Sequence, residues 1–299
     1  MPVEGLLLID KPIGPTSFDV IARLRRLSDI RRIGHAGTLD PLASGLLLVC
    51  VGRATRLLEY LSDQSKRYEA TLTLGRRTDT FDAEGVVLGE KPIDVSLPEI
   101  ERTLERFRGP IVQRAPAYSA VKRDGVPLYK LARQGVDVER PTRDVIIHDL
   151  ELRAWERPEL HLTVFCSSGT YIRSLADDIG HELGCGAYLS GLRRTAIGSF
   201  SIADALRLEE LDSDNWQEYL QTVDTAARHL PVVIFAPDVA ERVMYGQRVP
   251  AAGVLAEGEA ARAYDAGGRF LGIVLAGEDV WQPHKMFPQS GRDGYDEQG

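Results

Sequence analysis

Asp40 stands in a run of small residues, Ala36-Gly37-Thr38-Leu39-Asp40-Pro41 followed by Ala43-Ser44-Gly45, reached through the basic stretch Arg31-Arg32 and His35. A carboxylate with so little bulk around it leaves room for backbone or ligand, and can act as a nucleophile or stabilise positive charge. The ordinary alternative is structural: Asp at an N-cap with Pro at N1 starts many helices, and spacing alone favours that reading. Pro41 biases Asp40 towards extended backbone in either case. Arg173 is the second candidate. It falls in the first turn of a helix, where a cation opposes the helix dipole and calls for an anionic neighbour. A surface arginine and a phosphate held over Ser167 to Thr170 are equally good explanations. Tyr68 reads by default as a core tyrosine with a hydrogen-bonded hydroxyl. His35 reads as a surface histidine, and Tyr171 and Leu192 as core or edge residues.

The elements that must position these residues are legible in part. Residues 5 to 9 and 45 to 51 are short apolar runs of strand length. Between them Thr16-Ser17-Phe18-Asp19 resembles a capping box, and Val20, Ile21, Leu24 and Leu27 follow at helical spacing. Tyr68, Ala70, Leu72 and Leu74 alternate with polar residues, as do Leu160, Leu162, Val164 and Cys166, so both segments are half-buried strands. Ile172, Leu175, Ala176, Ile179 and Leu183 form a helical set closed by Gly184. Strands dispersed among helices without a regular βαβ repeat predict an α+β body. A boundary is expected near residue 230. Beyond it, short strands and turns predict a small β-barrel-like domain, followed by a flexible tail over 289–299.

The formal net charge of −8 argues weakly against a nucleic-acid partner, but its distribution does not. Residues 1 to 80 carry 12 Lys/Arg against 9 Asp/Glu, and residues 101 to 143 carry 10 against 5, whereas residues 201 to 299 carry 8 against 17. A basic body with an acidic C-terminal part is compatible with an RNA-facing surface on the former. The three cysteines, Cys50, Cys166 and Cys185, form no C-x-x-C pair, so neither a disulfide framework nor a metal site is expected. No signal-length or membrane-spanning apolar run occurs, and a cytoplasmic location is expected.

Several segments stand out when they are taken together. They are Gly5 to Pro12, Gly34-His35-Ala36-Gly37-Thr38-Leu39-Asp40-Pro41-Leu42-Ala43-Ser44-Gly45, Lys66-Arg67-Tyr68, and Arg77-Thr78-Asp79-Thr80 with Asp82. Pro116 to Lys122, Gly169-Thr170-Tyr171-Ile172-Arg173 and Leu192-Arg193-Arg194 follow in order. Together these segments closely resemble the TruB family of tRNA pseudouridine-55 synthases; Ala36 departs from the family's pattern, many relatives having Thr there.

The resemblance implies a pseudouridine synthase catalytic fold with a central mixed, mainly antiparallel sheet over 1–230 and a PUA-like RNA-binding domain over 231–288. It implies isomerisation of the uridine at position 55 in the T loop of tRNA, with no cofactor, no metal, no membrane and no obligate protein partner. Asp40, Tyr68 and Arg173 are then the catalytic set. His35 would fill the space vacated by a flipped base, and Tyr68, Tyr171 and Leu192 would line its pocket. Asp82 and Lys11 would orient and support. Arg173 beside Asp40 is expected to lower its pKa below the ordinary value of about 3.9. A non-catalytic tRNA-binding module and a glycosidase using Asp40 are the alternatives. The first leaves the joint presence of Asp40, Tyr68 and Arg173 unexplained; the second lacks a second, protonated carboxylate. With every candidate residue before 230, a truncation there is expected to keep activity on an isolated T-arm hairpin.

Overall fold

The N-terminal strand β1 (Gly5–Lys11) leads into α1 (Ser17–Ser28), β2 (Ile33–Ala36), β3 (Ala43–Val51), the short α2 (Leu58–Ser62) and β4 (Lys66–Leu74). A small hairpin, β5 (Arg76–Thr78) and β6 (Val87–Glu90), precedes α3 (Leu97–Arg106) and β7 (Gly109–Arg114). Then come the two-residue strands β8 (Lys122–Arg123) and β9 (Val126–Pro127), the long β10 (Thr142–Glu156), β11 (Glu159–Cys166), α4 (Ile172–Glu182) and β12 (Ala187–Ile197). β13 (Phe200–Ser201) and β14 (Leu206–Arg207) complete this part. The computed structural model describes residues 3–116, 122–123, 125–127, 140–251 and 255–288. The tail expected over 289–299 and the matched segment Ala117 to Val121 lie outside the described residues.

The main sheet runs β14-β1-β3-β12-β4-β11-β10-β7, with β2 also on β3 and β13 on β12. β12 is parallel to β3 and antiparallel to β4, and β1 is parallel to β14; the other pairings are antiparallel. The expected mixed, mainly antiparallel α+β body is therefore the observed one. Alternation decides its faces. Tyr68, Ala70, Leu72 and Leu74 turn inward to a core shared with Ile172, Leu175 and Ile179 of α4, and the intervening residues of β4 are exposed or half-buried. β1 and β3 are buried on both faces. Leu7, Ile9, Leu47 and Val49 pack on Val20, Ile21 and Leu24 of α1, while Leu6, Leu8, Leu46 and Leu48 face Leu57 and Leu61.

The capping box at α1 forms as expected: the Thr16 backbone N–H donates to the Asp19 carboxylate at 2.8 Å and the Asp19 N–H to Thr16 Oγ1 at 3.1 Å. The helix expected after Asp40 does not form. Ala43 N–H bonds back to Asp40 O at 3.0 Å, and the chain passes through one turn into β3. Starting a helix here would fix a whole turn for one hydrogen bond. The strand instead gains ladders on two sides, since Gly45 pairs with Lys11 and Ala43 with Leu192.

The C-terminal part is a five-stranded sheet, β15 (Val232–Phe235), β17 (Ala260–Asp265), β18 (Phe270–Ala276), β19 (Val280–Met286) and β16 (Val249–Pro250), with α5 (Pro237–Met244) packed on it. It fits the PUA-like expectation. Packing nevertheless crosses residue 230: Ile273 and Phe287 belong to the same buried cluster as Leu6, Leu8, Leu46 and Leu48. Arg53 and Arg56 stand 5.8 and 5.4 Å from the Phe287 ring, and Arg56 donates to Met286 O at 2.7 Å. Truncation at 230 would therefore uncover core of the body, and the activity expected of such a fragment is offset by its loss of packing. Phe287→Ala is expected to cost about 3 kcal/mol and to lower one common melting transition in calorimetry. A separate early transition, with the body unchanged, would show instead that the sheet melts as its own unit.

Candidate active site on the loop before β3

Asp40 is fixed through its neighbours. The Ser17 hydroxyl, buried at the start of α1, accepts from Leu39 N–H at 2.8 Å and lies 3.1 Å from Leu39 O, to which it donates. Gly14 N–H donates to Pro41 O at 2.8 Å. Lys11, fully buried, closes the preceding turn by donating from Nζ to Pro12 O and Pro15 O at 2.9 and 2.8 Å.

The loop opens where β3 changes partners: its residues Ala43–Gly45 pair with β12, and Leu48–Val51 with β2. Arg194 of β12, 1% exposed, lies at this junction. Its Nε donates to Leu46 O at 2.8 Å and its Nη2 to Gly37 O at 2.9 Å. Gly45 must be glycine, having φ +105° and room for a Cβ only 2.3 Å from Arg194 O.

Arg173 reaches the loop from the first turn of α4. Its Nε lies 3.1 Å from Asp40 Oδ2 and its Nη1 3.2 Å from Asp82 Oδ2, so two carboxylates answer a cation placed against the helix dipole. The helix start is itself clamped. Buried Gln113 accepts from Tyr171 N–H at 2.9 Å and donates to Tyr171 O at 3.2 Å. Asp82 is buried, accepting at Oδ1 from Thr80 Oγ1 at 2.5 Å and from Glu84 N–H at 3.1 Å.

These groups meet in a cleft of about 640 Å³, a volume ordinary for a small-molecule site. Asp40, Tyr68, Asp82, Tyr171, Arg173 and Leu192 all line it. Lys11 and His35 are not among its lining residues. His35 sits in β2, half-buried, and its Nδ1 has no hydrogen-bond partner among the described residues. Burial and the Arg194 charge hold its pKa below the ordinary range, which favours the neutral ring. Arg143 also lines the cleft, 5.0 Å from the Tyr171 ring.

The pKa of Asp40 is raised, not lowered as expected. Burial in the cleft is the main cause and the Asp82 charge adds to it, with Arg173 and Lys11 opposing. The family resemblance implied Arg173 beside Asp40 but did not show that a second carboxylate shares that cation. The Tyr68 phenol is pushed up by burial and stays neutral, while Arg194 favours its ionised form. The cleft thus joins a carboxylate held by a cation to a neutral phenol. Among the described residues no group of three or more His, Cys, Asp or Glu is placed to hold a metal ion. Nor is any helix there long and apolar enough to cross a membrane.

Burial pushes both Lys11 and Lys66 down to about 8 from an ordinary 10.5. Below pH 8 both are charged in the folded and unfolded chains, and the burial penalty is fully present. Above it the unfolded chain holds more protons, so stability rises with pH. Cys50 and Cys166, pushed up to about 12 and about 11 from 9.0, act in the opposite sense once the unfolded thiols ionise. Urea denaturation is expected to show stability rising above about pH 8 and levelling off from about pH 9, where the two thiols cancel the two lysines, with Lys66→Met flattening the rise. A steady fall from pH 7.5 upward would contradict this account.

Arg194 and Gln113 are the positions that residue-type reasoning missed. Arg194 had a signal, as the last member of Leu192-Arg193-Arg194; Gln113 had none, since its partner is the backbone of a residue far along the chain.

Comparison with known proteins bears out the fold. A solved H/ACA RNP bound to a substrate RNA containing 2′-deoxyuridine aligns at TM-score 0.75 and 24% identity, over 96% of this chain and 86% of that one. A Cbf5-Nop10-Gar1 complex aligns at TM-score 0.72 and 28% identity, over 91% of this chain and 78% of the other. The first carries the fold alone.

Family descriptions then cover the chain in succession: TruB family pseudouridylate synthase, N-terminal domain, over residues 25–172; tRNA pseudouridylate synthase B C-terminal domain over 173–232; and pseudouridine synthase II TruB, C-terminal, over 231–282. A tRNA pseudouridine synthase B from Burkholderia lata is 45% identical over 95% of this chain and 90% of its own. One from an Azoarcus species is 46% identical over 96% and 94%. The chain belongs to the TruB family of pseudouridylate synthases, which are isomerases.

Proposed function

We propose that the protein converts the uridine at position 55 in the T loop of tRNA to pseudouridine, with Asp40 as the reacting carboxylate. The reaction breaks the bond from ribose C1′ to uracil N1, turns the base and joins C1′ to C5. N1 gains a proton and C5 loses one, so the product is an isomer and neither water nor a redox cofactor is consumed. The observation that carries this reading is the Asp40–Arg173–Asp82 arrangement on the wall of a cleft that also holds Tyr68. A fixed negative charge suits glycosidic bond cleavage, where positive charge develops at C1′.

The nucleotide must leave its stack to reach Asp40, at a cost of a few kcal/mol. In this reading Tyr68 stacks on the base and moves its proton, Tyr171 and Leu192 line the base pocket, and His35 takes the space left in the loop. Asp82 orients Arg173, and Lys11 supports the turn before α1. Catalysis resides in 1–230, and the PUA-like part, 231–288, adds contacts to RNA beyond the T arm. No obligate protein partner and a cytoplasmic location belong to the same proposal.

The test is incubation of the purified protein with an unmodified tRNA transcript, without added cofactor or metal, followed by chemical mapping of pseudouridine. One new pseudouridine at position 55 is expected. Release of free uracil would turn the reading towards a glycosidase, and binding without modification towards a non-catalytic module.

A further inference from the structure

On the basis of that function, we infer that Arg194 is a positioning residue that locks the Asp40 loop to the Tyr68 strand, and that its contribution to turnover is made through Tyr68. Three observations carry it. Arg194 and Tyr68 are direct partners across β12 and β4, and on the other edge of β12 the same Arg194 pairs with Gly45, the end of the segment that follows Asp40. The guanidinium is spread over the junction, donating to Leu46 O of β3 and to Gly37 O at the start of the loop. Arg194 also reaches the cleft that Asp40 and Tyr68 line, although it is almost wholly buried.

A simple space-filling role does not need this chemistry. A buried guanidinium is costly unless its donors are used, and a small apolar side chain would leave the two carbonyls without their donor. Arginine answers both with a planar fork whose geometry is fixed, which lysine cannot reproduce from a single ammonium. The same group favours ionisation of the Tyr68 phenol, opposing the effect of burial. Arg194 thus sets both the distance between the two reacting side chains and the field at one of them, without belonging to the set that would touch the base.

The decisive experiment is a double-mutant cycle on single-turnover rates with a tRNA transcript, using Arg194→Gln, Tyr68→Phe and the double variant, well below their melting temperatures. Arg194→Gln is expected to slow the chemical step by about 100-fold, with less than about threefold change in tRNA affinity. In the Tyr68→Phe background the same substitution is expected to cost less than about tenfold, the shortfall being the coupling. Equal effects in both backgrounds, or loss of affinity in place of rate, would overturn the inference and leave Arg194 a structural filler. Should Arg194→Gln fail to fold, Arg194→Lys enters the same cycle, with the same outcomes deciding. The unsubstituted protein is the internal control: if it makes no pseudouridine the functional reading itself has failed, whereas an active protein with an additive cycle rejects this inference alone.

Discussion

Asp40→Asn is expected to lower the single-turnover rate of pseudouridine formation by at least about 10³-fold while tRNA affinity changes little. The substitution keeps the size and removes the charge, and the loop that carries it is held by Ser17, Gly14 and Arg194 through backbone groups that the change does not touch. Because an Asn can deamidate back to Asp, Asp40→Ala should give the same result. The pH profile offers a second readout. The raised pKa of Asp40 moves the acid limb of the rate to higher pH than an unperturbed aspartate would give, with activity lost as pH falls through it. Asp82 is one cause of that rise, so Asp82→Asn is expected to move the acid limb to lower pH. Substantial turnover by cleanly prepared Asp40→Ala would remove Asp40 from the chemistry.

Arg173→Gln is expected to be the most damaging change to stability and activity together. It strips the cation from Asp82, a carboxylate 2% exposed whose remaining contacts are uncharged donors. Breaking a buried pair from one side costs about 3–5 kcal/mol, which for a chain of this size lowers the melting temperature by roughly 10 °C. The companion double variant separates the two losses. Adding Asp82→Asn removes the stranded charge and is expected to restore much of the stability, while activity stays low because Asp40 still lacks its cation. Recovery of both in the double variant would mean that Arg173 serves Asp82 and not the reaction.

Local rules went a long way here. The alternation of Tyr68, Ala70, Leu72 and Leu74, the capping box at Thr16 and the apolar set from Ile172 to Leu183 each found its element, because each is decided by neighbours within a few residues. Asp40-Pro41 misled for the reverse reason. Its dihedral preferences suit a helix start, and only the distant strands β1 and β12 decide that the chain continues as β3. The same limit applies to charge: Arg173 was legible as a cation needing an anion, but its two carboxylates come from loops about 130 and 90 residues earlier. His35 read as a surface residue because Arg31 and Arg32 precede it, yet pairing of β2 with β3 draws its ring partly inside.

The cluster that joins Leu6 and Leu8 to Ile273 and Phe287 also sets an order of events during synthesis. The first strand leaves the ribosome with one apolar face whose covering side chains are nearly a whole chain length behind it. At typical elongation rates that face waits roughly ten seconds to a minute for its last partners. Until then Leu6, Leu8, Leu46 and Leu48 present a sticky strip to other nascent chains, and early docking of α2 and the 3-10 segment Val223–Ala227 can cover only part of it. A ribosome stalled before residue 270 would therefore hold a body with its catalytic residues already made and its core still open, a form suited to capture by chaperones.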